Sequence, residues 1–164
     1  MSWSDRSYNS RWARPALNRL LNTDRPIAVP PMLVVIWFGA NDACLADRSS
    51  SRQHVPLDEY QSNLKALTDA FRDHGCSRIL LVSPPPPHLP SRMSWLSSKY
   101  GNNAPAECPI DPAVTEKYAA ACRTAANEAG LLGSRNLQGF QIPFDTPSSV
   151  EGKCTCLFLQ GPRS

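Results

Sequence analysis

Apolar and polar residues alternate along this chain in two distinct rhythms. Trp12, Ala13, Ala16, Leu17, Leu20 and Leu21 recur on one side of a 3.6-residue period, which predicts a helix. Asn9 or Ser10 stands where a cap belongs. Pro15 interrupts the pattern, which predicts either a kink or a helix that becomes regular only near Arg14, with Pro15 in its first turn. Pro26, Pro30 and Pro31 then close it. Residues 32–38 form an unbroken apolar run rich in β-branched and aromatic types, bounded by Pro31 and Gly39. Since neither face is polar, the run predicts a buried, central, parallel strand.

The helical rhythm returns at Leu57, Tyr60, Leu64, Leu67 and Phe71, stepping by three and four and closing at His74-Gly75. Ile79, Leu80, Leu81 and Val82 predict a second short buried strand, stopped by four prolines at 84–87. Residues 88–109 show little periodicity despite Trp95 and Tyr100, and are expected to form a long functional or flexible loop. Asp111 and Pro112 then cap and start a helix whose inner face carries Val114, Tyr118, Ala121, Cys122 and Ala125, ending at Gly130. Strands alternating with helices predict an α/β sandwich with a parallel sheet. After Gly130 the pattern stops, so residues 131–164 are expected to be an irregular or disordered tail behind a single domain spanning 1–130.

Composition changes this picture in only one respect. The 164 residues include 16 prolines, about twice the average share, so much of the chain must be loop. An apolar fraction of 41% and a charged fraction of 19% leave room for a core. The net charge of +3 is spread without a basic stripe, so no nucleic-acid partner is expected. The longest apolar run is far too short for a membrane span. Six irregularly spaced cysteines without Cys-x-x-Cys, and no export signal at the start, lead to an expectation of reduced thiols and a cytoplasmic setting.

In an open parallel α/β sheet, ligands sit beyond the carboxyl ends of the strands. Gly39-Ala40-Asn41-Asp42 occupies that place. The glycine lets the chain leave the strand sharply, the Asn amide offers N–H donors to an oxyanion, and the Asp can cap the following turn. The same tetrapeptide also reads as a plain strand-ending turn. Other candidates are weaker. Cys44 and His54 suggest a thiol nucleophile with its base, but no basic residue stands next to Cys44 in the chain to depress its pKa, and His54 reads better as a loop residue held by the helix start at Asp58. Cys154 and Cys156 lack a second pair at zinc spacing, so no metal site is expected. The 84–87 prolines form either a polyproline ligand for an SH3-like partner or, directly after a buried strand, part of the pocket rim.

Several blocks taken together are more specific. Ser7-Tyr8-Asn9-Ser10-Arg11-Trp12-Ala13 resembles a Gly-Tyr-Asn-Thr-Arg-Trp-Ala block. Val34-Val35-Ile36-Trp37-Phe38-Gly39-Ala40-Asn41-Asp42-Ala43-Cys44, then Gln53-His54-Val55-Pro56-Leu57-Asp58-Glu59-Tyr60 with Asn63-Leu64, and Leu80-Leu81-Val82-Ser83-Pro84-Pro85-Pro86 follow in order. In this series the chain resembles the SGNH hydrolases, or GDSL esterases, and within them the isoamyl acetate-hydrolysing esterase subgroup. The likeness covers roughly residues 6–130. It implies a three-layer α/β/α, flavodoxin-like hydrolase that cleaves small-molecule esters with short acyl groups through an acyl-enzyme, without metal or organic cofactor.

Carried over by position, Asn41 matches the family's oxyanion asparagine, and Ser7 falls where a glycine donates a backbone N–H to the same oxyanion. Gly39 and Trp95 are expected to border the ester. The family's Gly-Asp-Ser nucleophile block occurs nowhere in the 164 residues, and its Asp-x-x-His block is also absent, since Ser51, Phe71 and Pro85 stand three residues before His54, His74 and His88. The resemblance therefore leads to the expectation of a chain truncated at both ends. Either the family's ester hydrolysis holds, or this chain is a catalytically inactive binding form or unstable fragment.

Overall fold

A computed structural model describes residues 8–21 and 29–131. Their order is α1 (Ser10–Leu21), β1 (Val34–Trp37), α2 (Leu57–Asp73), β2 (Ile79–Val82), α3 (Leu89–Tyr100) and α4 (Pro112–Glu128), with 3-10 turns at Ser51–Gln53 and Gly101–Asn103. β1 and β2 pair in parallel, with Val34 opposite Ile79 and Trp37 opposite Val82. α2 connects them, as a parallel pair requires a crossover. The protein is thus an α/β fold built on a parallel sheet.

α2 carries the centre of the core. Tyr60, Leu64, Leu67 and Phe71 are buried at the expected three- and four-residue spacing. Leu57 is an exception, lying exposed at the first turn. α2 packs against α1 on one side and α4 on the other. α4 supplies Tyr118, Ala121, Cys122 and Ala125 as expected, with Val114 only partly buried. Its start is fixed by the Asp111 carboxylate, which accepts the Ala113 N–H at 2.7 Å, and by Pro112 at the first helical position. From the strands come Val34, Ile36, Ile79 and Leu81, while the alternate residues Val35, Trp37, Leu80 and Val82 are half-buried.

Three expectations need correction. α1 is helical from Ser10 straight through Pro15, not from Arg14. Its first turn is held from outside: Asn9 Oδ1 accepts the Trp12 N–H at 2.9 Å, and Ala13 and Leu17 are buried beyond it. Those anchors offset the one backbone bond that proline forfeits. The first strand is shorter than its apolar run, since Met32 and Leu33 are exposed ahead of it. The expected loop at 88–109 contains α3, twelve residues long. The His88 side chain accepts the Ser91 N–H and Pro90 lies in the first turn, a good N-terminus. Leu89, Met93, Leu96 and Tyr100 do follow a helical spacing, but only Leu96 is fully buried.

Among the described residues no helix is long and apolar enough to cross a membrane. Cys44, Cys76, Cys108 and Cys122 are free thiols. Cys154, Cys156 and almost all of the expected 131–164 tail lie outside the described residues.

Candidate active site at the strand ends

Where β1 ends, the backbone must turn at once. Gly39 does this at φ +122°, a conformation L side chains rarely adopt. Space is equally restrictive. A Cβ on Gly39 would lie 2.8 Å from both Pro84 Cγ and the Tyr60 hydroxyl. Pro84, directly after β2, is thus buried against the loop that follows β1, so the first of the four prolines belongs to the wall of the strand-end region. Tyr60 reaches up from α2 and donates its hydroxyl to the Phe38 carbonyl at 3.0 Å.

Asp42 organises the loop. It is fully buried. One carboxylate oxygen accepts the Gly39 N–H at 3.1 Å, and the other accepts the Ser10 N–H at 2.9 Å. The side chain therefore closes its own turn and caps α1, rather than capping the turn that follows it. An anion at the positive end of a helix is favourably placed. Burial nevertheless pushes its pKa above the ordinary carboxylate value, against the Ser10 and Gly39 bonds that favour the charged form.

Asn41 is half-exposed, and its amide donates to the Tyr8 carbonyl at 2.8 Å. A primary amide has two N–H donors, so this bond fixes the group's orientation with one donor left over. Asn9 ties the next layer, donating from its amide to the Gln53 carbonyl at 2.9 Å. Asn63 on α2 donates to the Ser10 hydroxyl at 3.0 Å. Val55 N–H returns to the Asp42 carbonyl at 3.1 Å, and the Tyr118 hydroxyl on α4 donates to the Val55 carbonyl at 2.5 Å. The stretch from Phe38 to Val55 that contains the loop is bonded to α1, α2 and α4 at once.

The candidate residues are brought together only in part. Asn41 and Gly39 share the loop, but the Gly39 N–H is spent on Asp42. Ser7 lies outside the described residues. Trp95 stands on α3, half-buried, with the Arg92 guanidinium 4.6 Å and the Lys99 ammonium 4.7 Å from its ring centroid. It does not line the open depression of about 450 Å³ beside the loop, whose walls include Leu45, Arg48, Leu89, Cys108 and Ile110. Cys44 is 1% exposed, and burial pushes its thiol up to about 11, so it holds no thiolate for attack at neutral pH. His54 bonds the Cys44 carbonyl through Nδ1 at 2.7 Å, in place of the expected helix start. No cluster of metal-ligating side chains occurs among the described residues.

The sequence offers Asn41 as a candidate but not the partners that hold the loop around it. Asp42 reaches Ser10 across 32 positions, and no local pattern announces such a bond.

A polar loop at the carboxyl end of a parallel strand pair is where α/β sheets bind ligands, and the comparisons supply the class. Residues 6–139 match the GDSL-like lipase/acylhydrolase family model. The chain belongs to that family. It is 38% identical over 127 residues to a GDSL esterase/lipase of Arabidopsis thaliana, a match covering 76% of this chain and 51% of the relative. It is also 44% identical over 81 residues to the isoamyl acetate-hydrolyzing esterase 1 homolog of Mus musculus, covering 48% of this chain and 32% of that protein. The human homolog is 40% identical over the same length. The chain spans about half the length of the first of these relatives and a third of the others.

Proposed function

We propose that this chain supplies the oxyanion-binding part of a carboxylic ester hydrolase for small esters with short acyl groups, of the isoamyl acetate kind. The observation that carries the reading is the fixed amide of Asn41, held by the Tyr8 carbonyl at the carboxyl end of a parallel strand. When an ester carbonyl is attacked, negative charge develops on its oxygen, and a donor already oriented stabilises that charge without reorganising. Asn41 is that donor. The Ser7 backbone, next in the chain to the Tyr8 that Asn41 holds, is the second, and Gly39 borders the ester. The division into a 1–130 domain and a 131–164 tail is part of this reading. So is a cytoplasmic setting, which the four free thiols support.

A second reading is favoured by one specific feature of the sequence. The 164 residues hold neither a Gly-Asp-Ser nor an Asp-x-x-His. Acyl transfer without nucleophile or base loses several orders of magnitude in rate, so these residues by themselves bind ester without cleaving it.

Turnover of a chromogenic short-chain ester by the purified 164-residue chain separates the readings. No turnover above background is expected. Hydrolysis that disappears in Asn41→Ala would overturn the non-catalytic reading. In any form of the protein that does hydrolyse the ester, Asn41→Ala is expected to lower kcat by about 10²–10³; an unchanged kcat removes Asn41 from the oxyanion site.

A further inference from the structure

α3 is attached to the rest of the molecule in a different way from the other long helices. Leu96 is its one fully buried side chain, and its principal contact is with the 3-10 turn that follows it. Arg92, Trp95 and Lys99 are spaced by three and four, so they share one side of the helix. Both cations lie against the Trp95 ring, at 4.6 and 4.7 Å from its centroid, and Lys99 also lies 5.5 Å from the ring of Tyr100. Tyr100, 46% exposed, meets Trp95 edge-on with centroids 6.4 Å apart.

What the cations lack is as informative. Every ion pair among the described residues uses Arg11, Arg48, Lys65, Arg72 or Arg123, so Arg92 and Lys99 have no carboxylate partner there. Arg92 is half-buried and its Nε, itself buried, has no hydrogen-bond partner, so its charge is offered through the outer end of the guanidinium. The surrounding sequence offers none, since residues 74–106 contain no Asp or Glu. Two cations converging on one ring without a counter-charge form a surface complementary to an anionic partner.

We propose that α3 is a docking face for an anionic phospholipid surface. Trp95 and Tyr100 enter the headgroup layer, where amphipathic rings are best accommodated. Arg92 and Lys99 meet the headgroup phosphates and carboxylates, gaining the counter-charge they lack. A nucleic acid fits less well, because two cations neutralise too few phosphates to hold a polyanion at physiological salt. The inference does not rest on ester hydrolysis, and its test reads binding alone.

The test is co-sedimentation of the full 164-residue chain with vesicles of phosphatidylcholine alone or with about one-third phosphatidylserine. Partitioning is expected on the anionic vesicles only, and raised salt weakens it. Each cation contributes about a five-fold gain in partitioning, so Arg92→Gln with Lys99→Gln lowers it by about 25-fold. Trp95→Phe removes a blue shift of the emission that accompanies binding. Lys65→Gln with Arg123→Gln, removing two cations on α2 and α4, leaves partitioning within two-fold, which also shows that loss of net charge alone is not responsible. Equal binding to both vesicle types would overturn the proposal. So would an α3 double variant that stays folded by circular dichroism and still partitions normally, or capture by a single-stranded oligonucleotide with no capture by anionic vesicles.

Discussion

The 39–44 loop and α3 are both reached directly from the carboxyl end of a strand, yet they are secured by opposite means. The loop is irregular and fully buried at Asp42, Ala43 and Cys44; its Asp42 carboxylate accepts the Ser10 N–H of α1, and the segments beside it, at Phe38 and Val55, accept the Tyr60 and Tyr118 hydroxyls of α2 and α4. α3 is regular and mostly exposed, with one buried leucine. Regular secondary structure is therefore a poor guide to how firmly a segment is bonded to the rest of this molecule. The order of the loop comes from satisfied buried polar groups, whereas that of α3 comes from its own backbone ladder and one apolar anchor.

The strongest way to break the contrast is Asp42→Ala. It strands the buried Gly39 and Ser10 N–H groups together and is expected to cost about 3 kcal/mol of unfolding free energy, measured by urea denaturation. A loss below about 1 kcal/mol would mean the loop is not tied as described. Gly39→Ala follows, at about 2 kcal/mol, because the positive φ and the contacts with Pro84 and Tyr60 act together.

Leu96→Ala sharpens the other side. If α3 opens as a local unit, truncation accelerates amide exchange across it by about ten-fold while the global unfolding free energy from urea denaturation changes by less than about 1 kcal/mol. A shift of the whole transition instead would join α3 to the core.

The smallest effect is on pH dependence. Asp42 is expected to titrate above its ordinary 3.8, because burial opposes the charge. The folded state then holds the proton more tightly than the unfolded chain. The contribution of this group to stability is full below 3.8 and is lost as pH rises through the folded value. Glu59, whose pKa the hydrogen-bonded Arg11 lowers from 4.5, acts with the opposite sign: its contribution is present above 4.5 and is lost as pH falls through its folded value. Carboxyl NMR titration reads both directions, and Asp42 titrating at or below 3.8 would show that the two backbone bonds outweigh burial.

Legibility in the sequence followed the range of the interactions. α2 declared itself because Tyr60, Leu64, Leu67 and Phe71 mark one face within a few turns, and α4 because Asp111 and Pro112 punctuate its start. Gly39 was legible for a local reason, the need to turn at a strand end. α3 was passed over although Leu89, Met93, Leu96 and Tyr100 keep helical spacing, since serines and cations between them dilute the stripe. The Asp42 bond to Ser10 and the Tyr118 bond to Val55 span 32 and 63 positions. Such pairings are created by the fold and leave no periodic trace. Asn41 stands out as a candidate by its place after a buried strand and by resemblance, whereas the Tyr8 carbonyl that orients it, 33 positions away, leaves no mark in the sequence.

The thiols described above turn the molecule into its own recorder. Cys44 lies in the loop, Cys76 just beyond α2 and Cys122 on α4, all buried, while Cys108 is half-exposed. Burial pushes Cys44 and Cys122 each up to about 11, so at neutral pH roughly one in ten thousand of either is ionised. Among these four thiols a pulse of alkylating reagent therefore marks Cys108 first and reaches the others only as their surroundings come apart. Peptide mapping of the label then times the opening of the strand-end loop separately from that of α4, without adding a probe to the chain.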